Sequence, residues 1–483
     1  MNLNNIDFYS IRNALSSLPS DHDANGEHKP SPDEIFAPEQ HANALDPYSS
    51  IVVGSRGTGK SFWAGVLNDD ENRAVAAEFY PHLNLNNIIV ADGYSSTIHQ
   101  RYLDNLVPSG MEIESAYLFW QATIIKAATE KLKPDALKKK LSYYMKKYSD
   151  PEDAEIYLQR LDKILSKNES VLLITFDALD TISRDWHRST LILDSLFEVV
   201  WSLRARKFIK AKVFIRPEQL NDESLRFIEM PKLRSSRVQL EWNQVELYGL
   251  LFSRLAFECK NNEFIKLCSK VGSPIPSNDL NRRKFWALNH DKTAQKEIMN
   301  FFCGPYMGTN YKKGGTYDWP YKHLADANGE VTPRSFVKLF VGASRFNDAA
   351  HKSVISPEGI RHGLREASKV RVEQLVIEYR WISRALAPLA GLRVPCEVNE
   401  PFDRWKKSNT IKIILEAANN KESGFLPPFP NTVRTSRYEA LLESMARIGV
   451  VEYRPDGRVD IPDLFRVAAL MLKKGGLSPL RKK

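Results

Sequence analysis

The segment Gly54-Ser55-Arg56-Gly57-Thr58-Gly59-Lys60-Ser61 constrains this chain more than any other. It fits the spacing G-x-x-x-x-G-K-[ST], in which a glycine loop joins a buried strand to a helix. Such a loop turns successive backbone N–H groups toward phosphate oxygens, helped by the positive end of the helix dipole. Lys60 is then placed to reach the β- and γ-phosphates, and Ser61 to supply a ligand to Mg2+. With glycine at about 7% of residues, the pattern arises by chance in roughly one chain per hundred of this length. Context sharpens it: the apolar run Ile51-Val52-Val53 precedes the loop, and Ser61 to Leu67 reads as a helix. A nucleoside triphosphate site is the expectation. No guanine-reading NKxD segment is evident, so ATP with Mg2+ is preferred.

A phosphate loop of this kind needs a carboxylate at the end of another buried strand to hold the Mg2+ shell. Val171-Leu172-Leu173-Ile174-Thr175-Phe176 is a continuous apolar, β-branched run, the pattern of a parallel strand covered on both faces, and it ends in Asp177. Three residues on, Asp180 is a candidate to orient or deprotonate the attacking water, with a helix-capping role equally open. Lys212-Val213-Phe214-Ile215-Arg216 ends a further strand in a basic residue, and the planar arginine fork suits reading of a terminal phosphate. Arg334, in Thr332-Pro333-Arg334, opens a helix in a later region. It is a second candidate for coupling nucleotide state to domain angle, or an ordinary helix-opening arginine.

At 483 residues the chain is too long for one ordinary domain. Residues 1–46 are polar and lack periodicity, which predicts a flexible N-terminal arm. Residues 47–260 alternate strands with helices, the signature of an α/β domain with a mainly parallel sheet. A long helical region is expected over 113–166, broken near Pro134 and Pro151. Residues 261–400 read as a mainly helical lid or linker domain. Residues 401–483 read as two helices and a hairpin with Asp456-Gly457 in a type I′ turn, then a helix from Pro462 to Leu472, a winged-helix-like α+β unit. Lys and Arg outnumber Asp and Glu by 68 to 59, which is compatible with a polyanionic partner. Basic runs at Lys138-Lys139-Lys140, Lys146-Lys147, Arg282-Arg283-Lys284 and Arg481-Lys482-Lys483 read first as solvated faces. The cysteines Cys259, Cys268, Cys303 and Cys396 show no metal-binding spacing and are expected to be buried thiols. No run approaches the roughly 20 apolar residues of a membrane span, and no secretory signal opens the chain, so a cytoplasmic location without a membrane partner is expected.

With Gly54 to Ser61, Phe176-Asp177-Ala178-Leu179-Asp180 and Ile215-Arg216 in this order, the first 260 residues resemble the NTPase domains of the STAND and KAP classes, relatives of AAA+ ATPases. The Thr332-Pro333-Arg334 segment and the winged-helix pattern fit that architecture by order of parts. The resemblance implies an ATP-dependent switch with a helical lid and a winged helix. Such proteins often oligomerise, and in bacterial conflict and anti-phage systems they commonly act beside a separate effector. Many members carry a second acid directly after the strand-end aspartate, where this chain has Ala178. The hydrolytic role then shifts to Asp180 or fails, and slow turnover is implied. The competing readings are a DNA-binding or DNA-remodelling ATPase that docks through residues 401–483, and a nucleotide-dependent scaffold with negligible hydrolysis.

Overall fold

A computed structural model describes residues 6–19, 30–94, 100–134, 137–183, 185–221, 225–257, 262–275, 285–346, 353–419 and 436–479. The runs at Arg282 to Lys284 and Arg481 to Lys483, and Cys259, lie outside these residues. The chain divides into two compact units, Asn25–Glu241 and Met1–Ala24 with Trp242–Lys483.

The first unit is built on five parallel strands, β1 (Ile51–Val53), β2 (Ile88–Tyr94), β3 (Val171–Phe176), β4 (Ile209–Ile215) and β5 (Val238–Gln239). Their order is β2-β3-β4-β1-β5, so β4 lies between β1 and the strand that ends at Asp177. One face of the sheet is apolar by strict alternation. Leu172, Ile174 and Phe176 of β3 and Ala211, Val213 and Ile215 of β4 join one buried core with Phe119, Trp120, Ile192 and Phe197. The last four come from the helices Glu112–Leu132 and Trp186–Ser202, which pack on each other. The opposite face receives the helix Lys60–Asn68. Gly93 permits β2 to lie close to β3: a Cβ there would stand 2.7 Å from Ile174 Cγ2 and 2.9 Å from Phe176 Cε1. The helical region between β2 and β3 forms Glu112–Leu132, Leu141–Lys147 and Pro151–Lys167, with breaks at the expected prolines. Asp150 caps the last of these by accepting from Glu152 N–H.

The second unit begins with a helix, Phe8–Ser17, where the sequence suggests a flexible arm. Asp7 caps it, and the spacing of Phe8, Ile11 and Leu15 forms a short apolar stripe that joins the unit's core through Pro333–Ser344 and Asn262–Lys270. Three apolar residues in a polar stretch are too few to read as periodicity from sequence alone. The helices Pro333–Ser344 and Pro357–Glu378 meet at glycines: a Cβ on Gly363 would fall 2.0 Å from the Leu339 carbonyl oxygen.

After these come the helices Asn399–Lys407, Thr410–Asn419 and Arg437–Arg447 and the antiparallel hairpin β7 (Glu452–Tyr453) and β8 (Val459–Asp460), a winged-helix-like arrangement. The turn differs from the expected type I′. Gly457 N–H donates to the Arg454 carbonyl, 3.0 Å, around Pro455-Asp456, and among the turn residues Gly457 alone has positive φ, +83°. Proline fixes φ near −65° and so favours the second position of a type I turn, with the left-handed glycine following. The closing helix is also shorter than expected. It spans Asp463–Arg466 with Pro462 as its cap, and the chain then enters β9 (Leu472–Lys473), parallel to β6 (Arg393–Val394). Trp405, Leu441 and Phe465 of this region share one apolar core with Phe252, Phe302 and Phe340, so the helical region and the winged helix are one body. Among the described residues no helix is long and apolar enough to cross a membrane.

Candidate functional site

The phosphate loop leaves the carboxyl end of β1 and enters the helix Lys60–Asn68, the end of a parallel sheet at which such folds bind ligands. Gly54 N–H donates to the Ile215 carbonyl at 3.1 Å, which ties the loop's start to the end of β4. Two glycines take backbone angles that side chains resist, Gly57 at φ +86° and Gly59 at φ +103°. Gly54 is needed for a different reason: a Cβ there would stand 2.4 Å from Thr58 Oγ1. That hydroxyl donates to the Ser55 carbonyl, 2.8 Å, across the loop. Gly59 caps the helix without a side-chain hydrogen bond, so the first-turn N–H groups face the loop concavity. Lys60 Nζ donates to the carbonyls of Gly54, 2.6 Å, and Ser55, 3.0 Å. Burial, and next the Arg216 charge, lower its pKa from 10.5 to about 8, while Asp177, Glu218 and Asp180 act in the opposite sense.

Asp177 stands at the end of β3, its N–H donating to the Tyr94 carbonyl at 2.9 Å. Burial raises its carboxyl pKa, against hydrogen bonds from the Ser61 side chain and the Ala178 N–H and the charge of Lys60. Ser61 and Asp177, from separate strand ends, therefore meet. Together they fit Mg2+, which takes hard oxygen ligands and keeps several waters, the rest coming from phosphates. A buried carboxylate whose charge is incompletely compensated is a further reason for a cation there. Among the described residues no cluster of three or more His, Cys, Asp or Glu is arranged for a metal ion.

Asp180 and Arg216 form an ion pair. Arg216 caps the four-residue helix Pro217–Leu220, and its Nη1 also lies 3.8 Å from Glu218 Oε1. Sequence reasoning missed Glu218, because it belongs to no motif and acts by position two residues beyond Arg216. Ala178 is held in the left-handed region, φ +55° and ψ 31°, so the position that carries a second acid in the resembled classes is a tight turn here. Arg334 is the second residue of Pro333–Ser344, in the other unit, beneath the Thr332 cap.

A buried support behind the loop was also missed. Trp63 Nε1 donates to His41 Nδ1, 3.2 Å, which leaves His41 Nε2 to donate to the Glu241 carbonyl, 2.8 Å. Burial lowers the His41 pKa to about 4. In β4 the fully buried Lys212 donates to the carbonyls of Asp46, 2.8 Å, and Ser49, 2.6 Å, and so fixes the approach to β1. Burial lowers its pKa to about 7. Cys268, Cys303 and Cys396 are buried, and burial raises each thiol pKa, that of Cys303 and Cys396 to about 12.

Neither a family model nor a curated protein sequence matches the chain. Among solved structures it is similar to the Aeropyrum pernix ORC2 protein in ADPNP-ADP complexes, at 13% identity over 86% of this chain and 84% of that one, TM-score 0.36. It is also similar to the Aeropyrum pernix ORC1 protein in complex with DNA, at 14% identity over 95% of this chain and 94% of that one, TM-score 0.35. At such scores the likeness carries no weight. The α/β class and the phosphate-loop fold rest on the sheet order and on the loop at the end of β1.

Proposed function

We propose that the chain is an ATP-binding molecular switch that hydrolyses its nucleotide slowly and acts through a separate effector protein. The observation that carries this reading is that Lys60, the Ser61–Asp177 contact and the Arg216–Asp180 pair gather at one sheet edge within one unit. In it, the loop from Gly54 to Ser61, with Ser55, Arg56 and Thr58, cradles the phosphates, and Ser61 and Asp177 hold Mg2+. Bound there, Mg2+ would offset charge on the β- and γ-phosphates. Arg216 is held by Asp180 in the protein without nucleotide. A terminal phosphate competes for that arginine, so the pair reports whether a triphosphate is present. Arg334 carries the same information into the helical lid.

The relation to STAND, KAP and other AAA+-type ATPases, a role in bacterial defence, a cytoplasmic location and assembly with further copies of the chain belong to this proposal on the strength of the motif resemblance. The test is nucleotide binding and turnover by the full chain. Binding of Mg-ATP and slow release of phosphate are expected, both lost in Lys60→Ala. A parent chain that binds ATP without measurable turnover would leave the scaffold reading in place of the enzyme.

A further inference from the structure

Three carboxylates lie within electrostatic reach of the Lys60 ammonium, Asp177, Glu218 and Asp180, and their duties differ. Asp177 is engaged with Ser61. Asp180 is closed onto Arg216 and is 41% exposed. Glu218 is 26% exposed, and its contact with Arg216, at 3.8 Å, is too long for a hydrogen bond. Of the two remaining acids Glu218 acts more strongly on Lys60. Its backbone is well fixed. Gly54 N–H binds the Ile215 carbonyl, Pro217 sets the entry to the short helix, and Gln219 Oε1 accepts from Arg216 N–H at 3.3 Å. A helix of four residues has little dipole for an acid to complement, so helix stability does not explain a glutamate there.

We propose that Glu218, rather than Asp180, receives the proton of the attacking water. The inference rests on the reading of the chain as an ATPase. In the step, the water oxygen bonds to the γ-phosphorus as the bond to the β–γ bridging oxygen breaks. The electron pair of that bond leaves on ADP, and the water proton passes to a Glu218 oxygen, leaving inorganic phosphate. Asp180 instead holds Arg216 away from the nucleotide position until a triphosphate displaces it. This division answers the lack of an acid at Ala178: the missing carboxylate is supplied from the end of β4 instead of β3.

The test compares Glu218→Gln, Glu218→Asp and Asp180→Asn in the full chain by single-turnover hydrolysis of Mg-ATP and by equilibrium binding of a fluorescent non-hydrolysable ATP analogue. Glu218→Gln is expected to slow the single turnover by about 100-fold or more, with analogue affinity within about twofold of the parent. Glu218→Asp should fall between the two. Asp180→Asn should stay within about tenfold. Loss of analogue affinity in step with rate in Glu218→Gln would show a structural role and overturn the proposal, as would Glu218→Gln turning over near the parent rate. A parent without turnover would overturn the ATPase reading and this inference together, whereas a parent that hydrolyses alongside an active Glu218→Gln would overturn the inference alone.

Discussion

Lys60→Met should make the nucleotide-free protein more stable while abolishing its binding of Mg-ATP. Burial and Arg216 together lower the Lys60 pKa from 10.5 to about 8, and at about 1.4 kcal/mol per unit the charged lysine is disfavoured in the folded state by about 3 kcal/mol. The side chain keeps part of its surface open to solvent, and screening reduces the net effect to about 1–2 kcal/mol. Methionine fills similar volume without the charge. For a unit of this size 1 kcal/mol corresponds to roughly 2–4 °C, so an increase in Tm of about 2–8 °C is expected by differential scanning fluorimetry near pH 7. The sign with pH is fixed by linkage. Between about 8 and 10.5 the unfolded chain holds the proton more tightly than the folded one, so parent stability rises with pH there and the advantage of Lys60→Met shrinks. Mg-ATP should raise the Tm of the parent and leave that of the variant unchanged. A nucleotide-free Lys60→Met that melts below the parent at pH 7 would refute the reasoning, because the hydrogen bonds to the Gly54 and Ser55 carbonyls would then outweigh the buried charge.

His41 gives a prediction at the acid side. Its folded pKa of about 4 lies below the ordinary 6.5, so the unfolded chain binds the proton first and about 3 kcal/mol of stability is lost as pH falls from 6.5 to 4. Denaturant unfolding across that range should show a flatter profile for His41→Gln, and an unchanged profile would remove His41 as the cause. Gly54→Ala places its Cβ 2.4 Å from Thr58 Oγ1 and 3.3 Å from Leu240 Cβ, so the loop must open. ATP-analogue affinity measured by fluorescence titration should drop at least tenfold, and parent-like affinity would mean that the loop relaxes freely. In the wing, Arg458 pairs with Asp456, 2.6 Å, and both Arg454 and Lys473 pair with Asp460, 3.3 and 2.9 Å. These cations are already compensated, so duplex DNA binding at physiological salt is expected to be no tighter than non-specific, Kd about 10⁻⁴ M or weaker. A tighter complex, weakened by Arg454→Glu with Arg458→Glu, would support the DNA-docking alternative instead.

Features carried by local pattern were legible in the sequence, and features made by one segment closing on another were not. The loop, the continuous apolar β3 ending at Asp177, β4 ending at Arg216 and the breaks at Pro134 and Pro151 each lie within a short window. The strand order is a tertiary choice, and nothing in either strand announces that β4 separates β1 from β3. Lys212 shows the limit most plainly. A lysine inside an apolar run reads as an exposed edge, yet here its ammonium is buried because the carbonyls of Asp46 and Ser49, far away in sequence, accept its protons. The same holds for His41, which is explained only by Trp63 and Glu241. Asp180 and Arg216 were each found as single residues. Their pairing was not visible, and it changes what each is free to do. An acid already held by an arginine is a poor first choice for handling water, and an arginine held by an acid is a good detector, because the arriving phosphate must break a contact to be read. The site is therefore better understood from which charges are occupied than from which are present.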